Sequence, residues 1–181
     1  MTHFTSTRSV LTSALIAALI AAAPGLAAQD MGIRYGVQVS LVNPMGGDSD
    51  IASLGFGASA IGEMPFTENY AIRGRVDYMI FGKKELLGID SDVSNLCVAA
   101  DGIYSLSGHD TGLFGIVSLG YANTSLKVSY AGFSASSSTS GITLGLGFGY
   151  NMTRNLGGEV KYIKGGGDSI TFLQVSGTYR F

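Results

Sequence analysis

SITFLQVSGTYRF, residues 169–181, alternates in character from one residue to the next. Taken with period 2, Ser169, Thr171, Leu173, Val175, Gly177, Tyr179 and Phe181 share one face, and Ile170, Phe172, Gln174, Ser176, Thr178 and Arg180 share the other. The length is that of a strand crossing a bilayer at a tilt, about 9–11 residues. The odd face becomes more apolar along its course and finishes in two aromatics, while the even face becomes polar. An exposed strand ending in Phe invites pairing with other chains. A closed barrel removes that hazard, because its last strand pairs with its first.

Tyr179, Arg180 and Phe181 give the stretch an ending that resembles the small outer-membrane β-barrels of Gram-negative bacteria, including the OmpA-like and opacity-type porin families. That resemblance implies that Tyr179 and Phe181 form a signal read by the barrel assembly machinery during insertion. Gly177 lies about one place from where the family's upstream Gly is expected. The resemblance further implies an address in the outer membrane.

The other end of the chain agrees with export. Arg8 precedes an apolar run from Val10 to Ala23 that is too short to span as a helix, followed by Pro24, Gly25 and small residues at Ala27 and Ala28. The expected organisation is a signal peptide over residues 1–28, cleaved at Ala27 or Ala28, and one barrel domain over 29–181. Without Arg8, the 11 basic and 13 acidic residues leave 10 and 13, a net charge of −3. Those 23 charges in 181 − 28 = 153 residues are about 15%, against the quarter typical of soluble domains. The balance excludes a basic nucleic-acid footprint, and with Cys97 as the one cysteine no intrachain disulfide forms.

Working back from the terminal strand, seven more segments alternate. In the clearest, Tyr70, Ile72, Gly74, Val76, Tyr78 and Ile80 oppose Ala71, Arg73, Arg75, Asp77, Met79 and Phe81. The others are centred on Ile33–Leu41, Leu54–Glu63, Leu96–Tyr104, Leu113–Tyr121, Ile142–Tyr150 and Leu156–Tyr162. Short connections at Pro65–Asn69, Leu106–Thr111 and Met152–Arg154 contrast with mostly longer ones at Asn43–Ser53, Gly82–Asp92 and Asn123–Thr139, and a compact one at Gly165–Asp168 closes the last hairpin. The expected fold is all-β: an eight-stranded antiparallel up-and-down transmembrane β-barrel with its short turns in the periplasm. Leu126, Val128 and Tyr130 continue the alternation above the membrane as an extracellular hairpin. The Ser-rich segment Phe133–Ser140 reads as a flexible surface loop.

An eight-stranded barrel has room inside for side chains only. The inward set is Arg34, Arg73, Arg75, Lys161 and Arg180 against Glu63, Asp77, Asp101 and Glu159. Buried charges persist when paired, so these residues are expected to form a lumenal ion-pair network that plugs the barrel. Gly145, Gly147 and Gly149 would make room for the long side chains.

Motifs for chemistry are few. The spacing of Gly145, Gly147 and Gly149 is that of a strand and no helix follows, so no phosphate loop is expected. His109 beside Asp110 suggests a triad fragment, but the pair falls in a turn, where a solvated histidine is the simpler reading. No catalytic, cofactor or metal site is expected. Asp48, Asp50, Asp90, Asp92 and Asp168 fall in loops of the outer rim, where acidic side chains keep loops soluble and pairs lack a full Ca²⁺ ligand set. The expected partners are outer-membrane lipids and lipopolysaccharide, the assembly machinery, and an extracellular ligand that the sequence does not identify. The leading function is a non-enzymatic scaffold displaying extracellular loops. A narrow porin-like channel for ions or small solutes is the alternative, and a soluble lipocalin-like ligand-binding barrel the third.

Overall fold

The computed structural model describes residues 32–50, 52–82, 84–86, 89–130, 133–166 and 169–181. The expected signal peptide with its cleavage site, and Asp168, lie outside the described residues. Among the described residues nine strands follow in order: β1 Arg34–Pro44, β2 Ser53–Pro65, β3 Tyr70–Gly82, β4 Lys84–Leu86, β5 Ile89–Ser105, β6 Gly112–Tyr130, β7 Phe133–Asn151, β8 Leu156–Gly165 and β9 Phe172–Arg180. They form one sheet in the order β3-β2-β1-β9-β8-β7-β6-β5-β4, and β3 also pairs with β5, which closes it. Three-residue β4 pairs with β5 beyond the end of β3. The other eight strands are the wall of an up-and-down barrel, antiparallel at every joint. The closing seam joins β1 to β9, with Val37 opposite Tyr179.

The period-2 pattern sets the facing. Val39, Phe56 and Leu146 are 69%, 68% and 65% exposed, whereas Arg73, Asp77, Asp101 and Lys161 are fully buried. An apolar outer wall around a charged interior is the inverse of a lipocalin, so the ligand-binding barrel is ruled out. Along β3, outward Tyr70 and Ile80 are ten residues apart. At about 3.3 Å per residue and a tilt near 40° that is roughly 25 Å of height, the thickness of a transmembrane barrel's apolar band.

Three segments depart from the sequence reading. The connection expected at Gly82–Asp92 contains β4 and the first residues of β5, paired from Lys84 opposite Ser91 to Leu86 opposite Ile89. The terminal strand begins at Phe172 rather than Ser169: Ser169 and Ile170 are buried, and Ile170 packs with Phe172 in an apolar cluster inside the barrel end. The Ser-rich stretch is not a free loop, because Phe133–Ser140 is the first part of β7, paired with β6 in unbroken register from Tyr130 opposite Phe133 to Gly112 opposite Asn151. Serine's weak strand propensity is overridden by a ladder already aligned below it. These upper parts of β5, β6 and β7 stand as a raised sheet above the wall.

The opposite end is closed by short turns, two of which share a design. Thr67 Oγ1 accepts from the amides of Asn69 and Tyr70 at 3.3 and 3.0 Å, and Thr153 Oγ1 from those of Asn155 and Leu156 at the same distances. In each, the Asn side chain then donates to a neighbouring strand's last carbonyls: Asn69 to Ser105 at 2.7 Å, Asn155 to Arg180 at 2.8 Å. This repeated Thr-x-Asn ties adjacent hairpins together and was not among the motifs read from the sequence. In the third turn Gly108 and Gly112 adopt φ of 87° and 104°, which side chains resist.

Candidate functional site

Interior side chains form layers. At the loop end Val42, Ala52, Met79, Phe81, Val93, Ile163, Ile170 and Phe172 form an apolar plug, with Phe81 and Phe172 edge to face at 6.0 Å. The connection between β1 and β2, a short 3₁₀ turn over Gly46–Asp50, folds onto this end. Its Met45 amide donates to Thr171 O at 2.9 Å, and Asp48 Oδ2 accepts from the Thr171 amide at 2.8 Å. Asp48 therefore serves as a latch, and among the described residues no three His, Cys, Asp or Glu side chains gather as a metal site. Toward the turn end, Ala71, Ile103, Phe114 and Ile116 form a second apolar group.

Between the apolar layers lie the charges. Arg73 donates to Asp101 Oδ2 from Nε at 3.0 Å and Nη2 at 2.7 Å, and to Glu159 from Nη1 at 2.8 Å and Nη2 at 3.2 Å. Lys161 Nζ lies 2.7 Å from Glu159 and 4.0 Å from Asp101. Arg75 bonds Asp77 through Nη1, Asp101 Oδ1 through Nε at 3.1 Å and Ser118 Oγ through Nη2 at 3.1 Å, and Ser118 Oγ donates to Asp101 at 2.7 Å. These six charges share one cluster built from β3, β5 and β8. Arg180 and Glu63 form a separate pair at 3.3 Å near the turn end, where Arg180 also donates to Asn151 Oδ1 at 2.9 Å. Arg34 is placed elsewhere: it sits at the rim, partly exposed, 2.9 Å from Asp110. Four cations then face four anions in the interior.

Space for the cluster comes from glycine. A Cβ on Gly147 would stand 2.6 Å from Lys161 Cγ, and one on Gly149 would collide with the Phe114 ring. Across the lumen the wall of β1 and β9 carries neutral polar groups: Gln38 donates to Thr178 Oγ1 at 2.7 Å, Ser40 and Ser176 hydroxyls lie 2.9 Å apart, and Gln174 donates to Ser40 at 2.9 Å. The alternation had already placed Gln174, Ser176 and Thr178 inward. Ser118 and Asn151 were missed, although Ser118 lies on the inner parity of β6, opposite the outward Leu113, Val117 and Leu119.

His109 is not solvated. It is buried where the turns converge, with Nε2 2.8 Å from Thr67 O and Nδ1 3.3 Å from Ser105 Oγ, while Asn151 Nδ2 donates to its carbonyl at 3.0 Å. Asp110 turns away to Arg34, so the fragment of a triad is not assembled. Outside, Tyr179 and Phe181 stack edge to face at 5.7 Å on the apolar wall, and the Phe181 amide donates to Tyr35 O at 2.9 Å.

A family model described as the outer membrane protein β-barrel domain matches residues 13–181. Among solved structures, Ail, the attachment invasion locus protein of Yersinia pestis, is 22% identical with a TM-score of 0.54, the match covering 82% of this chain and 96% of that one. The N-terminal β-barrel domain of Pseudomonas aeruginosa OprF is 14% identical with a TM-score of 0.57, covering 84% and 100%. Neisserial surface protein A is 15% identical with a TM-score of 0.51, covering 82% and 96%. At these identities the likeness is one of fold. No curated protein matches the chain significantly.

Proposed function

The chain belongs to the outer membrane protein β-barrel family, and from that premise we propose that it is a non-catalytic scaffold whose sealed barrel carries the raised β5–β6–β7 sheet on the cell exterior. The observation that carries this reading is the lumen itself. Arg73, Arg75, Lys161 and Arg180 are paired with Glu63, Asp77, Asp101 and Glu159, with apolar layers toward both ends. A permeating ion would have to break buried pairs and displace the plug of Phe81 and Phe172. The apolar band faces outer-membrane lipids and, in the outer leaflet, lipopolysaccharide. Tyr179 and Phe181 are the contact for the assembly machinery. In this orientation the Thr-x-Asn turns are periplasmic and the raised sheet extracellular.

Planar-bilayer recording of the refolded protein tests the seal. The expected record is a silent membrane. Steady single-channel steps from the wild-type protein would replace the scaffold by the narrow-pore alternative.

A further inference from the structure

β7 is paired on one side only over its upper half. Its register with β8 begins at Thr143 opposite Gly165, and the last bond to that neighbour is from the Gly166 amide to Ile142 O at 2.8 Å. Because residues of one parity point their N–H and C=O to the same side, and because the register with β6 has no bulge, Ser134, Ser136, Ser138 and Ser140 share the direction of Ile142. Among the described residues no strand meets them. Natural edges of this kind are blunted by charge, proline or a bulge. β7, FSASSSTSGITLGLGFGYN, contains no charged residue and no proline.

We infer that this edge is an adhesive surface whose occupant is the same edge of a second copy, presented from an apposed membrane. The inference rests on the reading of the raised sheet as extracellular. Two copies in one membrane are related by an axis along the membrane normal, which brings identical groups level, N–H against N–H, and no ladder forms. Two copies in facing membranes are related by an axis between the membranes, which runs the edges antiparallel. Ser136 then lies opposite Ser138 of the second copy and Ser134 opposite Ser140, each pair exchanging two hydrogen bonds. The absence of charge on β7 removes the repulsion that usually forbids self-pairing, and small hydroxylated side chains at every second position fit their own copies. A strip one strand wide and about 20 Å long is far smaller than a stable interface of roughly 1,200 Å². Single contacts are therefore weak, and many in parallel between two membranes accumulate through effective concentration.

The test uses the full chain refolded into phosphatidylcholine vesicles, followed by turbidity and two-colour co-localisation. Wild-type vesicles should cluster and empty ones should not. Ser136→Pro with Ser138→Pro should abolish clustering while the heat-dependent gel shift of the folded barrel persists, because those amides do not bond β6. Vesicles bearing Ser136→Lys with Ser138→Lys, or Ser136→Glu with Ser138→Glu, should disperse alone and cluster when mixed. Dispersed wild-type vesicles, clustering unchanged in the proline variant, or binding only of an added extended peptide would each overturn the inference. Protease access to the raised sheet and bilayer silence, measured on the same vesicles, report separately on the scaffold reading.

Discussion

Replacing Asp101 by Leu tests the charge balance of the lumen. Asp101 accepts two bonds from Arg73, one from Arg75 and one from Ser118, and four cations then face three anions. Removing one partner of a buried pair destabilises by about 3–5 kcal/mol, on the order of a hundredfold to several thousandfold in the folded population. Adding Lys161→Met restores equality at three and three, and Glu159 keeps its two bonds from Arg73. The double variant should therefore be more stable than Asp101→Leu alone, by about 1–3 kcal/mol, a strongly non-additive result for neighbours. The sequence has no Trp, so urea unfolding in lipid vesicles is best followed by gel mobility of unboiled samples. If Lys161→Met lowers stability further on top of Asp101→Leu, interior neutrality is not what holds the cluster.

The remaining predictions follow from facing, fit and the turn end. Val76→Lys puts a cation on the lipid side of β3 and should lose about 2–4 kcal/mol, whereas Arg75→Lys keeps its charge inside and should lose less than half of that in the same urea titration. Gly149→Ala drives a methyl into the Phe114 ring and should destabilise by about 1–3 kcal/mol, while Gly74→Ala, whose Cβ has nothing within 4 Å, should stay within about 0.5 kcal/mol. His109→Phe removes the contacts to Thr67 O and Ser105 Oγ and should lower stability by about 1–2 kcal/mol while leaving bilayer silence intact. Asp48→Ala frees the Thr171 amide, and limited proteolysis should then nick the connection around Gly46–Asp50 several times faster than in the wild type.

The barrel was legible because lipid and lumen impose opposite demands on alternate residues, so Ile72 and Val76 against Arg73, Arg75 and Asp77 announce both the strand and its facing. The inner charges were legible as a set for the same reason. Their partners were not, since pairing depends on register and tilt: Arg34 has the inner parity of β1 yet sits at the rim and turns to Asp110. Burial of His109 was hidden because it arises from three turns meeting, which no local pattern encodes. The Ser-rich part of β7 was hidden because its strand is dictated by the β6 ladder and by nothing in its own side chains. Met79 and Phe81 on the inner face of β3, and Phe114 and Ile116 on that of β6, were the available hints that the lumen is layered.

The seam between β1 and β9 also bears on how the molecule forms. Every other wall joint links strands adjacent in the chain apart from the short β4, but Gln38 and Thr178, bonded across the seam, are 140 residues apart. Closing a free loop of that length costs about 4 kcal/mol in chain entropy. If the local hairpins form first, a curled sheet delivers its two edges to each other and most of that penalty has already been met piecemeal. Until then both edges carry unpaired amides that hydrocarbon does not satisfy. On the inner side of the seam Gln38, Ser40, Gln174, Ser176 and Thr178 are neutral groups that tolerate a provisional alignment, and Arg180 at the turn end is the one charge. Closure can thus proceed as a late zipper over those neutral groups, with the pair of Arg180 and Glu63 fixing its turn end.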